Sequence, residues 1–563
     1  MRMARVFQRI DRSAGALLRS GVVALALLLI PQLALAAPSE RRIAAAEEAL
    51  NAWDLPSARA LAEELRHEHP ASPRIAHLLG RVLLHQGDYE GAARYLREAG
   101  ASDGPGSFLQ VAEDTGRIAA TFHEAQSEHF IFRYQPGKDE ILVPYALETL
   151  EKAYESIGEI LGYRPEGPKI LVEVVANAEE LAKVSTLSLE AIKTTGTIAI
   201  CKFDKLMITS PKALLRGYGW RDTLAHEYVH LAVTRKTRNK TPIWLHEGIA
   251  KYLETSWRGS PGLALQLPSQ TLLRDAVKAN KLISFEAMHP SIALLPTAED
   301  AALAFAEVFT VMEYLHGRDQ QNIAKVLEGL REGLTDREAV GRLFGGSFSK
   351  FESGWRGFLA RRPFPKEDAS MESLHLKFAG DAPEQEESDG KAKDENKFRD
   401  LTELSEFRQI KDAAARRAAH LGELLRARGQ PAAAAAKYEE AIEIVGAKFP
   451  SLTNKYAISL LELEEGARAE KELLRSLELY PGDPLTNLNL ARVKMQQGLA
   501  ADAKPYLERA ISTNPFDPEV HARLAAVAKE LGDDPLVQQA SRALTLLLPP
   551  GALPAQVNEG AAE

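Results

Sequence analysis

The sequence predicts an α+β domain set between two all-α repeat blocks, and three observations predict it. Short apolar runs of strand character gather between about residues 123 and 209, and helical periodicity fills most of the region after Trp220. Strands early and helices late mark an α+β module. A 34-residue self-similarity recurs near both ends of the chain. The length of 563 residues, at about 150 residues per domain, leaves room for three to four such units.

The first element is a leader at residues 1–36. Arg2, Arg5, Arg9, Arg12 and Arg19 precede a continuously apolar run from Gly21 to Ile30, and Ala34-Leu35-Ala36 supplies a small-x-small cleavage site. This is the pattern of a secretory signal peptide. The run falls short of the roughly 20 residues that a bilayer span needs. The expected location is therefore exported and periplasmic, with membrane attachment only if the leader stays uncleaved. Composition agrees with a globular chain: 45% hydrophobic and 26% charged residues. A net charge of −9 with no basic stripe argues against a nucleic-acid partner. Cys201 is the one cysteine, so an internal disulfide and a thiolate zinc cage are both excluded.

The repeat blocks follow from the 34-residue interval. Asp54 recurs as Asp88 and Ala58 as Ala92; near the other end Asp483 recurs as Asp517, Pro484 as Pro518, and Gly498 as Gly532. A glycine that ends one helix, and alanines such as Ala503 where two helices cross, describe stacked helix pairs. This spacing resembles the tetratricopeptide repeat (TPR). It places about two repeats at 43–100 and about four at 407–547. Two repeats alone bury too little, so the first block is expected to pack on its neighbour. The polar stretch 366–400 reads as a linker, and 549–563 as a disordered tail.

Between the blocks, residues 123–365 form the α+β unit. Phe130-Ile131-Phe132 and Ile170 to Val175 read as strands, with an amphipathic helix from Leu147 to Leu161 between them. Thr197 to Ile200 and Leu206 to Thr209 read as two further short strands. The helix around 220–234 contains His226-Glu227-x-x-His230. Residues i and i+4 share a helical face, so both imidazoles can reach a single ion. Glu227 lies beside that face, placed to take a proton from water without being a ligand. After His230 comes Pro242-Ile-Trp-Leu-His-Glu-Gly-Ile-Ala-Lys-Tyr-Leu-Glu254, a loop entering a second helix with Glu247 in its first turn.

These two segments together resemble the gluzincin metallopeptidases of the peptidase MA clan, whose third ligand is the glutamate of a W-L-x-E-G-x-A-x-Y-x-E segment. Trp244, Leu245, Glu247, Gly248, Ala250, Tyr252 and Glu254 occupy its fixed positions. The resemblance implies one zinc ion per chain held by His226, His230 and Glu247. It also implies a fourth position for water, as in a catalytic site. The ion lowers the pKa of its water to about 7, and Glu227 acts as the general base that passes the proton to the leaving amine. Glu254, seven residues beyond Glu247, and Asp222, four before His226, are placed to orient a ligand imidazole.

The family binds substrate as a strand added to a sheet edge, which by position is Leu206 to Thr209 or Thr197 to Ile200. The G-x-M-E-N motif of related aminopeptidases is missing, which favours an endopeptidase. One departure concerns the oxyanion. Many gluzincins offer it a tyrosine hydroxyl, and Phe305 stands where that tyrosine is expected. Loss of one such donor costs about 10²–10³ in rate. Tyr314, Tyr252 and Tyr228 are the candidates to replace it.

The remaining residues read as structural. His246 is expected to point away from the face of Glu247, at a loop or pocket rim. Cys201 reads as a small buried apolar residue, Arg235 to Lys240 as a solvated basic loop, and Trp220 and Trp244 as core residues beside the two site helices. Two functions stay open: a zinc metallopeptidase whose TPR repeats recruit a peptide or protein substrate or partner, and a TPR scaffold with a weakly active or inactive zinc domain.

Overall fold

A computed structural model describes residues 38–365, apart from 103, 105 and 264, and residues 407–548. The expected leader, linker and tail lie outside the described residues. No helix among the described residues is long and apolar enough to cross a membrane.

The chain begins with two helical hairpins, α1 (Pro38–Asn51) with α2 (Leu55–Glu68) and α3 (Pro73–His85) with α4 (Tyr89–Glu98). The repeating aspartates have a local job. Asp54 accepts from the backbone N–H of Ser57 and Asp88 from that of Gly91, so each caps the second helix of its hairpin. A further helix, α5 (Phe108–Ala119), leads into the sheet.

The sheet has five strands: β1 (His123–Gln126), β2 (Phe130–Tyr134), β3 (Ile170–Val175), β4 (Ala199–Lys202) and β5 (Lys205–Thr209), in the order β1-β2-β3-β5-β4. β2, β3 and β5 run parallel, while β1 and β4 pair antiparallel at the two edges. α6 (Leu142–Leu161) makes the crossover from β2 to β3. β1 reads His-Glu-Ala-Gln and is mostly exposed, so it shows no apolar alternation by which sequence could find it. β3 and β5 are buried along their whole length, as interior parallel strands are. β5 is therefore not an edge, and of the two expected substrate strands only the Thr197–Ile200 region, which runs into β4, lies on the rim. α7 (Ala178–Val184) and α8 (Leu189–Thr195) lie between β3 and β4.

The helical half follows as α9 (Trp220–Thr237), α10 (Ile243–Leu253), α11 (Leu267–Ala279), α12 (Ala298–Arg318), α13 (Asn322–Arg331), α14 (Asp336–Arg342) and α15 (Phe348–Arg361). α9 is enclosed on most sides, with Leu224, Tyr228, Val229, Leu231 and Val233 all buried, while His226, Glu227 and His230 face the cleft. Of the expected basic loop, Arg238 to Lys240 is exposed, but Arg235 to Thr237 belongs to α9 and is not solvated. Arg235 lies within α9 and makes a two-pronged ion pair at 2.7 Å with Asp204 in the β4–β5 turn, and Lys236 is buried near Glu328.

From residue 407 the described residues form four more hairpins: α16 (Ala413–Ala427) with α17 (Pro431–Val445), α18 (Pro450–Glu462) with α19 (Gly466–Leu479), α20 (Pro484–Gln496) with α21 (Ala500–Ile511), and α22 (Pro518–Leu531) with α23 (Asp534–Leu547). Asp483 and Asp517 cap α20 and α22, and Pro484 and Pro518 occupy the first helical position, where no N–H is needed.

The blocks are not separate beads. One continuous apolar cluster runs from Leu84 and Ala92 in the first block through the sheet and α9 to Leu507, Ile511 and Leu524 in the last. Below the sheet, Lys205 donates at 2.7 Å both to Glu173 and to the hydroxyl of Tyr89, which itself donates to Glu173 at 2.5 Å. All three are buried, and each charge has a partner, as burial demands. This closed triangle ties the first repeat block to β3 and β5.

Candidate active site

α9 and α10 cross at the base of a large cleft and place three ligand-type atoms together. Nε2 of His226 and Nε2 of His230 are 3.1 Å apart, and each is 3.6 Å from Oε2 of Glu247. A tetrahedral zinc ion with bonds of about 2.05 Å sets its ligand atoms about 3.3 Å apart, so the triangle has the dimensions of a zinc seat. Glu247 sits in the second turn of α10, not the first, because the helix already begins at Ile243. Gly248 lets this helix approach α12: a Cβ there would lie 3.0 Å from the carbonyl oxygen of Val308.

The imidazoles are held from behind. Oε2 of Glu254 lies 2.9 Å from Nδ1 of His226, which turns Nδ1–H to the carboxylate and aims Nε2 at Glu247. His230 is held by a residue that sequence reasoning placed elsewhere. His246 turns inward, with its Nδ1 2.5 Å from Nδ1 of His230 and its Nε2 3.1 Å from Oγ1 of Thr234. Burial pushes the His246 imidazole down to about 4, so it is neutral. For His230 to present Nε2 as an acceptor its Nδ1–H must donate to Nδ1 of His246, and the His246 Nε2–H then donates to Thr234. Because α10 crosses over α9, residues 246 and 247 both face the site helix. The adjacency of His246 to the Glu247 motif was the one available signal.

Asp222 does not reach His226. It accepts from Trp257 at 2.9 Å and from Arg258 at 3.0 and 2.8 Å.

Charge is concentrated on the acceptor side. Burial lowers the basicity of His226, but Glu247 and Glu254 on its two nitrogens outweigh burial and raise it to about 10. Burial pushes Glu247 up, yet His230 and His226 draw it down to about 2. Glu227 is pushed up to about 7, first by burial, and is bonded by the backbone of Cys201 on β4. A carboxyl poised near neutrality suits proton transfer. Cys201 itself is half-buried in the cleft wall, not deep in the core, and burial raises its thiol well above the usual range, as expected of an inert thiol.

The cleft has a volume of about 1980 Å³ and includes β4, the ligand triangle and Phe305 in its lining. Tyr314, Tyr252 and Tyr228 do not line it. Tyr314 packs on Phe344 and Phe358, Tyr252 on Phe309, and Tyr228 on Phe130. The other wall comes from the C-terminal repeats, including Lys448, Tyr480 and Arg509. Docking there is intimate. Trp220, the first residue of α9, donates through its indole N–H to the carbonyl of Ile511 at 2.9 Å, and the backbone N–H of Tyr218 donates to that of Thr513 at 3.1 Å. Gly217 has φ +68 and touches the same turn, where a Cβ would lie 2.1 Å from the Thr513 oxygen.

A family model of the Peptidase MA superfamily matches residues 162–361. Models of the tetratricopeptide repeat match residues 43–105, 420–484 and 460–529. No curated protein matches the chain. Among solved structures, MamA MSR-1 C2 is similar at 17% identity and TM-score 0.22, covering 25% of this chain and 84% of that one. Pseudomonas aeruginosa pilF is similar at 20% identity and TM-score 0.24, covering 27% of this chain and 73% of that one. The chain carries a Peptidase MA superfamily domain with tetratricopeptide repeats on both sides.

Proposed function

We propose that the chain is an exported, periplasmic zinc metallopeptidase that hydrolyses peptide bonds within a polypeptide. The observation that carries this is the triangle of His226, His230 and Glu247, whose ligand atoms lie within 4.8 Å of one another, with Glu227 on the same helix facing the cleft. Bound in that seat, zinc supplies a Lewis acid that activates water and polarises a carbonyl. The protein's own residues do the rest. Glu254 and His246 hold the imidazoles with Nε2 inward, and Glu227 takes a proton from water and returns it to the leaving amine. β4, as the sheet edge beside the cleft, offers unpaired backbone groups to an extended substrate.

The test is metal analysis and hydrolysis on the same preparation. Wild type carries one zinc and cleaves an unfolded protein, whereas Glu227→Gln keeps the zinc and does not cleave. A metal-free wild type refutes the reading. Export is tested by fractionation and by the mass of the mature amino terminus.

A second reading, a scaffold with a weakly active centre, is favoured by Phe305 in the cleft lining, where a hydroxyl is missing. A cellular phenotype unchanged by Glu227→Gln would support it.

A further inference from the structure

The repeat wall of the cleft carries a guanidinium that feels the charge of neighbouring Glu508 but is not bonded to it. Arg509 projects from α21 into the cleft lining and is half-buried. Its Nε donates to Oδ1 of Asn487 at 3.1 Å, and its guanidinium lies 4.6 Å from the ring centre of Tyr506. Among the described residues it makes no ion pair with a carboxylate.

The other cations of the cleft lining are either exposed lysines, Lys411 and Lys448, or are paired. Arg258, from the peptidase side, is neutralised by Asp222, and Lys251 by Glu254. The acids of the repeat wall are committed as helix caps: Asp483 accepts from the backbone and hydroxyl of Thr486, and Asp412 from the backbone of Ala414 and Ala415. Arg509 is held in position by one neutral bond and an aromatic ring, with the rest of its planar donor fork available. That fork matches a carboxylate two-pronged.

We infer that the C-terminal repeats supply a carboxylate-binding subsite, centred on Arg509, to the cleft that contains His226, His230 and Glu247. The ligand is a carboxylate on an extended peptide, either an acidic side chain or a free carboxyl terminus. The repeats thus act as a selecting wall of the chamber. The inference rests on the reading of this cleft as a peptide site. It does not require that the centre be active.

The experiment is fluorescence anisotropy with the full-length, zinc-treated Glu227→Gln chain, which holds peptide without turnover. Labelled peptides differ at one group: glutamate against glutamine inside the peptide, and a free against an amidated carboxyl terminus. Expected is about tenfold tighter binding of one carboxylate form, near the low end of what a hydrogen bond to a charged group contributes, which weakens with salt. The pair that shows the preference identifies the source. Adding Arg509→Gln abolishes the preference, while Arg509→Lys keeps part of it; unchanged thermal melting confirms that both remain folded. Equal binding of both forms, or a preference that survives Arg509→Gln, overturns the inference. Failure of every peptide to bind overturns it together with the peptide-cleft reading. A preference in a chain whose wild type neither holds zinc nor cleaves leaves the subsite standing and refutes the hydrolase alone.

Discussion

Glu254 faces the back of His226 at 2.9 Å from Nδ1, and this single contact decides which nitrogen of the imidazole is offered to the centre. With the proton held on Nδ1, Nε2 points into the triangle with Glu247 and His230. Carboxylates in this position typically contribute 10–100-fold to metal affinity or activity. Glu254→Ala is therefore expected to weaken zinc binding by about that factor, read by competition with a chelating dye. Unaltered affinity would show that Lys251, also bonded to Glu254, is the carboxylate's real purpose.

Phe305 offers a gain-of-function counterpart. It lines the cleft on α12, and Phe305→Tyr adds only a hydroxyl. If that oxygen meets the developing oxyanion, kcat rises by about tenfold or more, towards the 10²–10³ that such donors supply, with zinc content and KM little changed. A variant with unchanged kcat would place the oxyanion elsewhere in the cleft.

Gly217 tests the docking of the repeats. A methyl there meets the Thr513 oxygen, and the positive φ adds a cost of about 1–2 kcal/mol for any L side chain. Gly217→Ala is expected to lower stability by roughly 1–3 kcal/mol, measured by urea denaturation. It should also reduce hydrolysis more than zinc binding, since the ligands are not touched.

Glu307 carries the pH prediction. Burial raises its carboxyl to about 8. Oε1 accepts from the backbone N–H of Ile283 at 2.8 Å, and Oε2 is buried without a partner. Between about pH 4.5 and 8 the unfolded chain has lost this proton while the folded chain keeps it. Stability from this group is therefore full below the unfolded value and is lost as pH rises through that window, at up to roughly 1.4 kcal/mol per pH unit. Glu307→Gln should flatten the fall of melting temperature with pH and melt higher than wild type at pH 8. Parallel profiles would mean that Glu307 is ionised in the fold.

Much of the centre was legible because its signals are local. Helical spacing alone brings His226 and His230 to one face, and the seven-residue step from Glu247 to Glu254 carries the supporting carboxylate along. The strands β2, β3 and β5 announced themselves by apolar runs, and the repeats by caps and prolines at a fixed interval. What stayed hidden depends on partners far along the chain. Asp222 has the right spacing to serve His226, but Arg258 and Trp257 claim it. Arg235 looks like a surface cation until Asp204 is brought against it. His246 faces inward because of the crossing of two helices, an angle that no periodicity encodes. The approach of Gly217 to Thr513 joins positions almost 300 residues apart, and only the assembled core reveals it.

The indole bond from Trp220 to Ile511 has a mechanical meaning. Trp220 is the root of the helix that bears both histidines, so the repeat array grips that helix at its base, as a hand grips a lever near the fulcrum. Because the bond lies within one continuous core, any displacement of these repeats would reach the chamber wall and the histidine helix together. Swapping or shortening a repeat would then retune throughput and metal geometry together, without a single change among the ligands themselves.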